Sequence, residues 1–104
     1  MEVYIAPPEV SSDAILHREQ VLAALAQVGL AVARAEEKAA TGRLRAWWIL
    51  SFDGTDVSLQ FQETNEGLVF ATLEQSMLDS SDVPDRICRA LETLGWEVDQ
   101  ENVG

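Results

Sequence analysis

The sequence predicts an α+β fold, with a three- to five-stranded antiparallel sheet that carries two helices on one face, in the order (β)-α-β-β-β-α-(β). Residues 43–74 alternate apolar and polar side chains in runs that turn sequences separate, which is typical of a β-meander. Apolar residues recur at helical spacing before and after that meander. Because 104 residues suit one hydrophobic core, residues 1–104 are expected to form a single domain.

The first part of the chain is expected to contain a short strand and one long helix. Residues 2–6 have the pattern of a strand, which the Pro7-Pro8 pair ends. Residues 11–13 (Ser-Ser-Asp) offer a helix N-cap. Apolar side chains then recur in steps of three and four residues, at Val21, Leu25, Val28, Val32, Ala35 and Ala39. The favoured interpretation is one helix from about residue 12 to residue 41, which Gly42 ends.

A second interpretation assigns residues 30–37 to a strand. Gly29 would cost a helix interior about 1 kcal/mol relative to alanine. In addition, residues 25–32 (Leu-Ala-Gln-Val-Gly-Leu-Ala-Val) resemble residues 91–98 (Leu-Glu-Thr-Leu-Gly-Trp-Glu-Val). Both segments look like a helix end, a glycine cap and the start of a strand. The sequence leaves this choice open.

The meander shows the clearest pattern. In residues 43–52, Trp48 belongs to the side that faces the helices, so Trp47 must point to the opposite side. Asp53-Gly54 is a strong hairpin signal, and residues 57–62 alternate as a half-buried strand. After a turn at residues 65–67, the strand at residues 68–73 is apolar on both sides. We call the second face of the sheet the open face. This strand therefore contributes one of two sets of side chains to the open face: either Leu68 and Phe70, or Val69, Ala71 and Leu73.

The last part of the chain predicts a second helix and a short strand. Residues 79–85 are rich in capping side chains, and residues 83–94 carry an apolar face at helical spacing. Gly95 ends this helix, and residues 96–98 form a candidate terminal strand. Residues 99–104 are polar and are expected to be a frayed tail.

Charge limits the classes of partner. Residues 1–52 carry five basic and six acidic side chains, a net charge of −1, whereas residues 53–104 carry two and twelve, a net charge of −10. Such an acidic chain repels nucleic acid and anionic membranes, so no direct contact with either is expected. The N-terminal residues have no basic region and no long apolar run, which excludes a signal peptide and predicts a cytoplasmic protein.

Chemistry-bearing residues are too few to indicate an enzyme. His17 and Cys88 are the only histidine and the only cysteine. No phosphate-binding glycine loop and no nucleophile elbow is present. We therefore expect no catalytic residue, no cofactor and no metal site.

Element order alone resembles the double-stranded RNA-binding domain. That family requires basic residues at the second helix, where this chain has acidic ones, namely Asp79, Asp82, Asp85 and Glu92. The order also loosely resembles the chaperones of bacterial type III secretion. Neither resemblance rests on a motif residue, so neither assigns a family.

A partner-binding surface is expected on the open face around Trp47. Ile49, Arg43 and Arg45 alternate with the same phase, and Trp and Arg are enriched in binding hot spots. Whether the N-terminal strand, the tail or part of the long helix covers this face stays open. Acidic residues of the second half would attract a basic surface, chiefly Asp79, Asp82, Asp85, Glu97, Asp99 and Glu101.

The resulting function hypothesis is a non-catalytic protein that binds another protein. In general character, a small acidic chain of this kind resembles bacterial toxin-immunity proteins and phage-encoded inhibitors, which implies an inhibitor that neutralises a basic partner. The alternative is an assembly or secretion chaperone that works as a homodimer through the open face around Trp47. Salt separates the two, because charge-steered binding slows steeply with ionic strength and an apolar contact does not.

Overall fold

A computed structural model describes residues 2–8, 15–76 and 81–99. Its elements are β1 (Glu2–Ala6), α1 (Arg18–Gln27), β2 (Val32–Ala39), β3 (Ala46–Phe52), β4 (Val57–Thr64), β5 (Gly67–Gln75), α2 (Val83–Thr93) and β6 (Glu97–Asp99). The strands form one antiparallel sheet in the order β2-β3-β4-β5-β1-β6. The α+β class with two helices is thus confirmed. The predicted three to five strands are close but not exact, because the described sheet has six strands.

The segment after Gly29 is a strand, so the prediction of one long helix is wrong and the second interpretation is right. Gly29 adopts a left-handed φ of +81°, and its N–H donates to the Ala26 carbonyl at 3.0 Å. The Leu30 N–H donates to the Leu25 carbonyl, also at 3.0 Å. These two bonds are the Schellman pattern, which satisfies the last helical carbonyls and turns the chain away from the helix axis.

The end of α2 repeats this geometry. Gly95 has a φ of +99°, and its N–H donates to the Glu92 carbonyl at 3.0 Å. The Trp96 N–H donates to the Leu91 carbonyl at 3.1 Å. The sequence similarity between residues 25–32 and 91–98 therefore encodes one local structure, used twice to lead from a helix into a strand.

The first helix also begins later than predicted. Leu16 exchanges backbone hydrogen bonds with Leu68 of β5, which holds it in an extended conformation just before the helix. His17 is the N-cap of α1, and its backbone N–H donates to Gln20 Oε1 at 2.8 Å, as in a capping box. The cap predicted at residues 11–13 lies outside the described residues.

The core lies between the two helices and one face of the sheet. Trp48 is 3% exposed, which confirms that it faces the helices. Phe61 lies between two tryptophans of this core. Its ring centroid is 5.4 Å from that of Trp48 and 6.1 Å from that of Trp96. Other buried members come from the sheet and from both helices: Val3, Ile5, Leu50, Leu59, Leu73, Val21, Leu25, Ile87 and Leu91.

A bulge in β5 decides which of its side chains reach the open face. Gln62 of β4 pairs with Phe70, but its neighbour Glu63 pairs with Leu68, so Val69 is an extra residue. Leu68 is consequently buried on the helix-facing side together with Ala71 and Leu73. Neither predicted set is right as a whole, since an ideal two-residue alternation cannot place Leu68 and Ala71 on one side.

The predicted terminal strand is present as β6, which pairs with β1. Asp99 belongs to this strand and pairs with Tyr4, so the predicted frayed tail does not begin at residue 99. The rest of the predicted tail lies outside the described residues.

Candidate functional site

The open face is the side of the sheet opposite α1 and α2. Register pairs align its side chains in rows across the strands, with Trp47 beside Gln62 and Phe70 in one row. A second row contains Ile49, Gln60, Thr72 and Tyr4. Within the described residues, the buried helix side chains pack with the opposite, helix-facing set.

The centre of the open face is apolar and aromatic. Trp47 and Ile49 of β3 are half-buried, as are Tyr4 and Phe70. The rings of Tyr4 and Phe70 lie with centroids 5.8 Å apart and their planes tilted by 30°. Amide and hydroxyl side chains of β4 and β5 lie between Trp47 and the Tyr4–Phe70 pair. This combination provides flat apolar area together with hydrogen-bonding groups.

One edge of the open face is acidic. Glu97 and Asp99 of β6 pair with Ala6 and Tyr4 of β1, which places both carboxylates on the open face. Glu2 and Glu74 lie directly opposite each other on β1 and β5. Like charges in a cross-strand pair are destabilising, so this arrangement is not one that stability alone would favour. We call Glu2, Glu74, Glu97 and Asp99 the acidic edge.

A groove joins the acidic edge to the aromatic centre. It is lined by the Tyr4 and Phe70 rings, by Pro7 and Pro8, and by Glu97 and Asp99. An aromatic face beside carboxylates suits a cationic side chain, since the ring attracts the cation and the carboxylates accept its hydrogen bonds.

The other edge of the open face carries the basic residues of β2. Arg34 and Lys38 lie opposite Ser51 and Trp47 of β3. Glu36 lies between them on the same face, and Arg34 Nη2 is 2.6 Å from Glu36 Oε1. Five strand spacings, about 24 Å, separate β2 from β6. On the open face, Arg34, Glu36 and Lys38 give this edge a net charge of +1, whereas the middle is apolar and the opposite edge is acidic.

Arg45 lies apart from the predicted cluster around Trp47. Trp47 and Ile49 share the open face, but Arg45 Nη1 is 2.9 Å from Glu63 Oε1 on the helix-facing side. The expectation that Arg45 lies beside Trp47 is therefore not met, because the Glu63 carboxylate holds its guanidinium. Arg43 is exposed in the turn that precedes β3.

The acidic residues selected from the sequence fall in two places. Glu97 and Asp99 share the open face with Trp47. Asp82 is the N-cap residue of α2 and pairs with Arg86, with 3.0 Å between its Oδ2 and Arg86 Nε. Asp85 is exposed in the first turn of α2. Asp79 and Glu101 lie outside the described residues.

Sequence reasoning missed Glu2, Tyr4 and Glu74 of this surface, and it left Phe70 as part of one of two alternative sets. Alternation in residues 2–6 would have separated Tyr4 from Val3 and Ile5. No local pattern places β1 between β5 and β6, however, and that insertion is what brings the four together.

An ion-pair network around the buried Glu63 lies on the helix-facing side. Glu63 is 6% exposed, and Arg18 holds it through two bonds, from Nε at 2.9 Å and from Nη2 at 2.6 Å. Arg18 Nη2 also contacts Glu37 Oε1 at 2.5 Å, and its guanidinium lies 5.2 Å from the Trp48 ring centroid. The hydrogen bond to Glu63 raises the pKa of Arg18, and the bond from Arg18 lowers the pKa of Glu37. The network joins α1 to β2 and β4.

Cys88 is a poor nucleophile in this structure. Burial, together with the nearby charges of Glu92 and Asp85, raises the pKa of its thiol to about 11. The thiol is therefore protonated at neutral pH, and the thiolate is the reactive form. Among the described residues, no three His, Cys, Asp or Glu side chains are grouped to hold a metal ion. Within the same ranges, no helix has the length and apolarity of a membrane span.

Comparison of the chain with protein-family models, curated proteins and solved structures finds no significant match. The functional proposal is therefore based on the geometry of the open face.

Proposed function

We propose that this protein is a non-catalytic binding domain that neutralises a protein partner with a basic surface, and that the open face is its docking surface. One observation carries the proposal. An aromatic centre and an acidic edge share a sheet face against which neither described helix packs.

The apolar centre would supply the lifetime of the complex. Trp47, Ile49 and Phe70 are half-buried in the chain alone, so a partner can still remove the exposed remainder of their surface from water. A fully desolvated tryptophan at an interface centre contributes about 2 kcal/mol or more. Glutamine and threonine side chains between them can pair with polar groups of the partner.

The acidic edge would supply attraction and selectivity. Its carboxylates belong to a chain with a net charge of −11, which draws a basic surface from beyond contact distance. In contact, Glu97 and Asp99 flank the groove beside the Tyr4 and Phe70 rings, where a lysine or arginine of the partner would be held.

An NMR titration with a defined probe tests this placement. The probe is a synthetic peptide that alternates arginine and alanine, added to isotopically labelled intact protein. We expect the largest amide shifts in β1, β5 and β6, and weaker binding in the double variant E97Q/D99N. The matched control D85N/E92Q makes the same charge change on α2 and should leave binding intact. Equal weakening by both double variants would mean that the acidity acts only as diffuse charge, and the docking site would be wrong.

A dimeric chaperone remains the second candidate function, because Trp47 and Ile49 are the half-exposed apolar pair that such a dimer would cover. In that case W47A should dissociate a homodimer of the purified protein. A homodimer unaffected by W47A would remove this candidate.

A further inference from the structure

Strand β2 is an eight-residue edge strand that is accessible on both faces. None of its residues is buried, although Ala35, Glu37 and Ala39 lie on the helix-facing side. Its inner edge pairs with β3, and no strand of the described residues pairs with its outer edge. Such an edge leaves backbone donors and acceptors available to another chain.

The composition of β2 conflicts with its conformation. Alanine, glutamate and lysine are depleted in strands and are strong helix formers, yet they make up most of residues 32–39. Pairing with β3 keeps the segment extended. A second pairing strand would hydrogen-bond the outer backbone groups of β2 and remove part of the exposed alanine surface from water. An interior strand has both edges paired already, so the outer edge of β2 is the more favourable place for a new strand to pair.

We propose that the outer edge of β2 pairs antiparallel with β2 of a second copy of this chain, which joins two six-stranded sheets into one continuous sheet. The surface involved is separate from the centre of the open face. The proposal therefore does not rest on the proposed function.

Charge favours a second copy at this edge and opposes it elsewhere. The chain has a net charge of −11, so two copies repel each other. Strand β2 is an exception, since Arg34 and Lys38 balance Glu36 and Glu37. The locally neutral edge is where two copies can approach closely.

The charges also select one register. A two-fold axis perpendicular to the sheet places the residue on the axis opposite its own copy. From Arg34 to Lys38, Ala35 is the only uncharged residue, so an axis at any of the other positions would oppose like charges. With Ala35 on the axis, Arg34 lies opposite Glu36 of the second copy, and this pair occurs twice. Both belong to the open face, where they already pair within one chain.

Sedimentation velocity of the purified protein over a concentration series tests the proposal. We expect reversible dimerisation. The variants R34E and E36R should each weaken it about tenfold, because each places two like-charge pairs across the axis. An equimolar mixture of the two variants should restore dimerisation, since one chain then carries acids at both positions and the other carries bases. Circular dichroism checks that each variant is folded.

Matched controls on α2 are R89E and E92R, which make the same charge changes at exposed positions. They should leave dimerisation unchanged, both separately and mixed. The proposal is wrong if the protein sediments as a monomer throughout. It is equally wrong if the mixture of R34E and E36R is no tighter than either alone, or if W47A disrupts the dimer while the β2 variants do not.

Discussion

Trp47 and Trp48 are neighbours in the chain but lie on opposite faces of β3. Trp48 is 3% exposed and contacts the Phe61 ring, whereas Trp47 is half-buried on the open face. The same residue type therefore stabilises the core at Trp48 and is available for binding at Trp47.

The first prediction compares these two tryptophans. W48A should lower the free energy of unfolding by about 3–5 kcal/mol, because it leaves a large cavity in the core. W47A should cost much less, since water already reaches part of that side chain. Urea denaturation of both variants measures the difference. Equal losses would show that both faces of β3 are covered.

Glu63 is the residue whose removal should disturb the ion-pair network most. Replacing it with glutamine leaves Arg18 and Arg45 without their shared carboxylate. We expect a loss of about 1–2 kcal/mol, below the range for a broken buried pair, because both arginines are partly hydrated and Arg18 keeps its bond to Glu37. The control E66Q changes an exposed turn residue and should stay within about 0.5 kcal/mol of the parent protein in urea denaturation.

A third prediction concerns Glu37 and pH. The hydrogen bond and charge of Arg18 lower the pKa of Glu37 in the folded protein, so the unfolded chain binds the proton more readily. The stability that this pair contributes is present above the ordinary Glu pKa of about 4.3 and is lost as pH falls through the lower folded pKa. The urea midpoint of the parent protein should fall more steeply below about pH 4.3 than that of E37Q. Parallel curves would show that the pair adds no stability.

At the scale of elements, the segment from Gly29 to Ala39 was the most ambiguous. Its residues favour a helix one by one, and their apolar spacing continues that of α1. Two features override this preference. Gly29, with its left-handed φ, ends α1, and seven register pairs with β3 stabilise the extended conformation.

The prediction for this element is that G29A is destabilising. Alanine at a φ of +81° costs about 1–2 kcal/mol, and its Cβ would lie 3.3 Å from Arg86 Nη1. The control G42A has a similar φ of +71° with no atom within 4 Å of the added Cβ, so it isolates the backbone cost. Urea denaturation should show a loss for G29A at least as large as for G42A. An unchanged or higher stability for G29A would contradict the left-handed cap.

At the scale of the whole molecule, the open face separates charge from apolar contact. The acidic edge and the pair Trp47–Ile49 are several strands apart, so each can be altered without touching the other. Exposed charges act over a Debye length of about 8 Å at physiological salt but contribute little in contact.

The corresponding prediction concerns the kinetics of binding to a partner captured with the intact protein. E97Q/D99N should slow association and flatten its salt dependence, whereas W47A should mainly speed dissociation. Surface plasmon resonance across a salt series, with D85N/E92Q as the control, separates the two rates. If E97Q/D99N associates as fast as the parent protein, the acidic edge serves solubility only.

Much of the open face could be predicted because it follows from alternation within one strand. Trp47 and Ile49 needed only the period of two residues. Glu97 and Asp99 were selected for their charge, and only the pairing of β6 with β1 places them on this face. The groove could not be predicted, since Tyr4 and Phe70 meet through a pairing of β1 with β5 that spans most of the chain. Arg45 also escaped prediction, because its direction depends on Glu63 in another strand.

Neighbouring residues were enough to establish the meander, the turn at Asp53-Gly54, the second helix, the opposite faces of the two tryptophans and the net charge of −11. Tertiary pairing was needed to place the strand at residues 32–39, β1 between β5 and β6, and the bulge at Val69. Periodicity and turn chemistry act over a few residues. Strand pairing and buried ion pairs, in contrast, involve groups that are distant in sequence. Their interaction energies exceed the local conformational preferences, which are on the order of a few tenths of a kcal/mol per residue for helix formation.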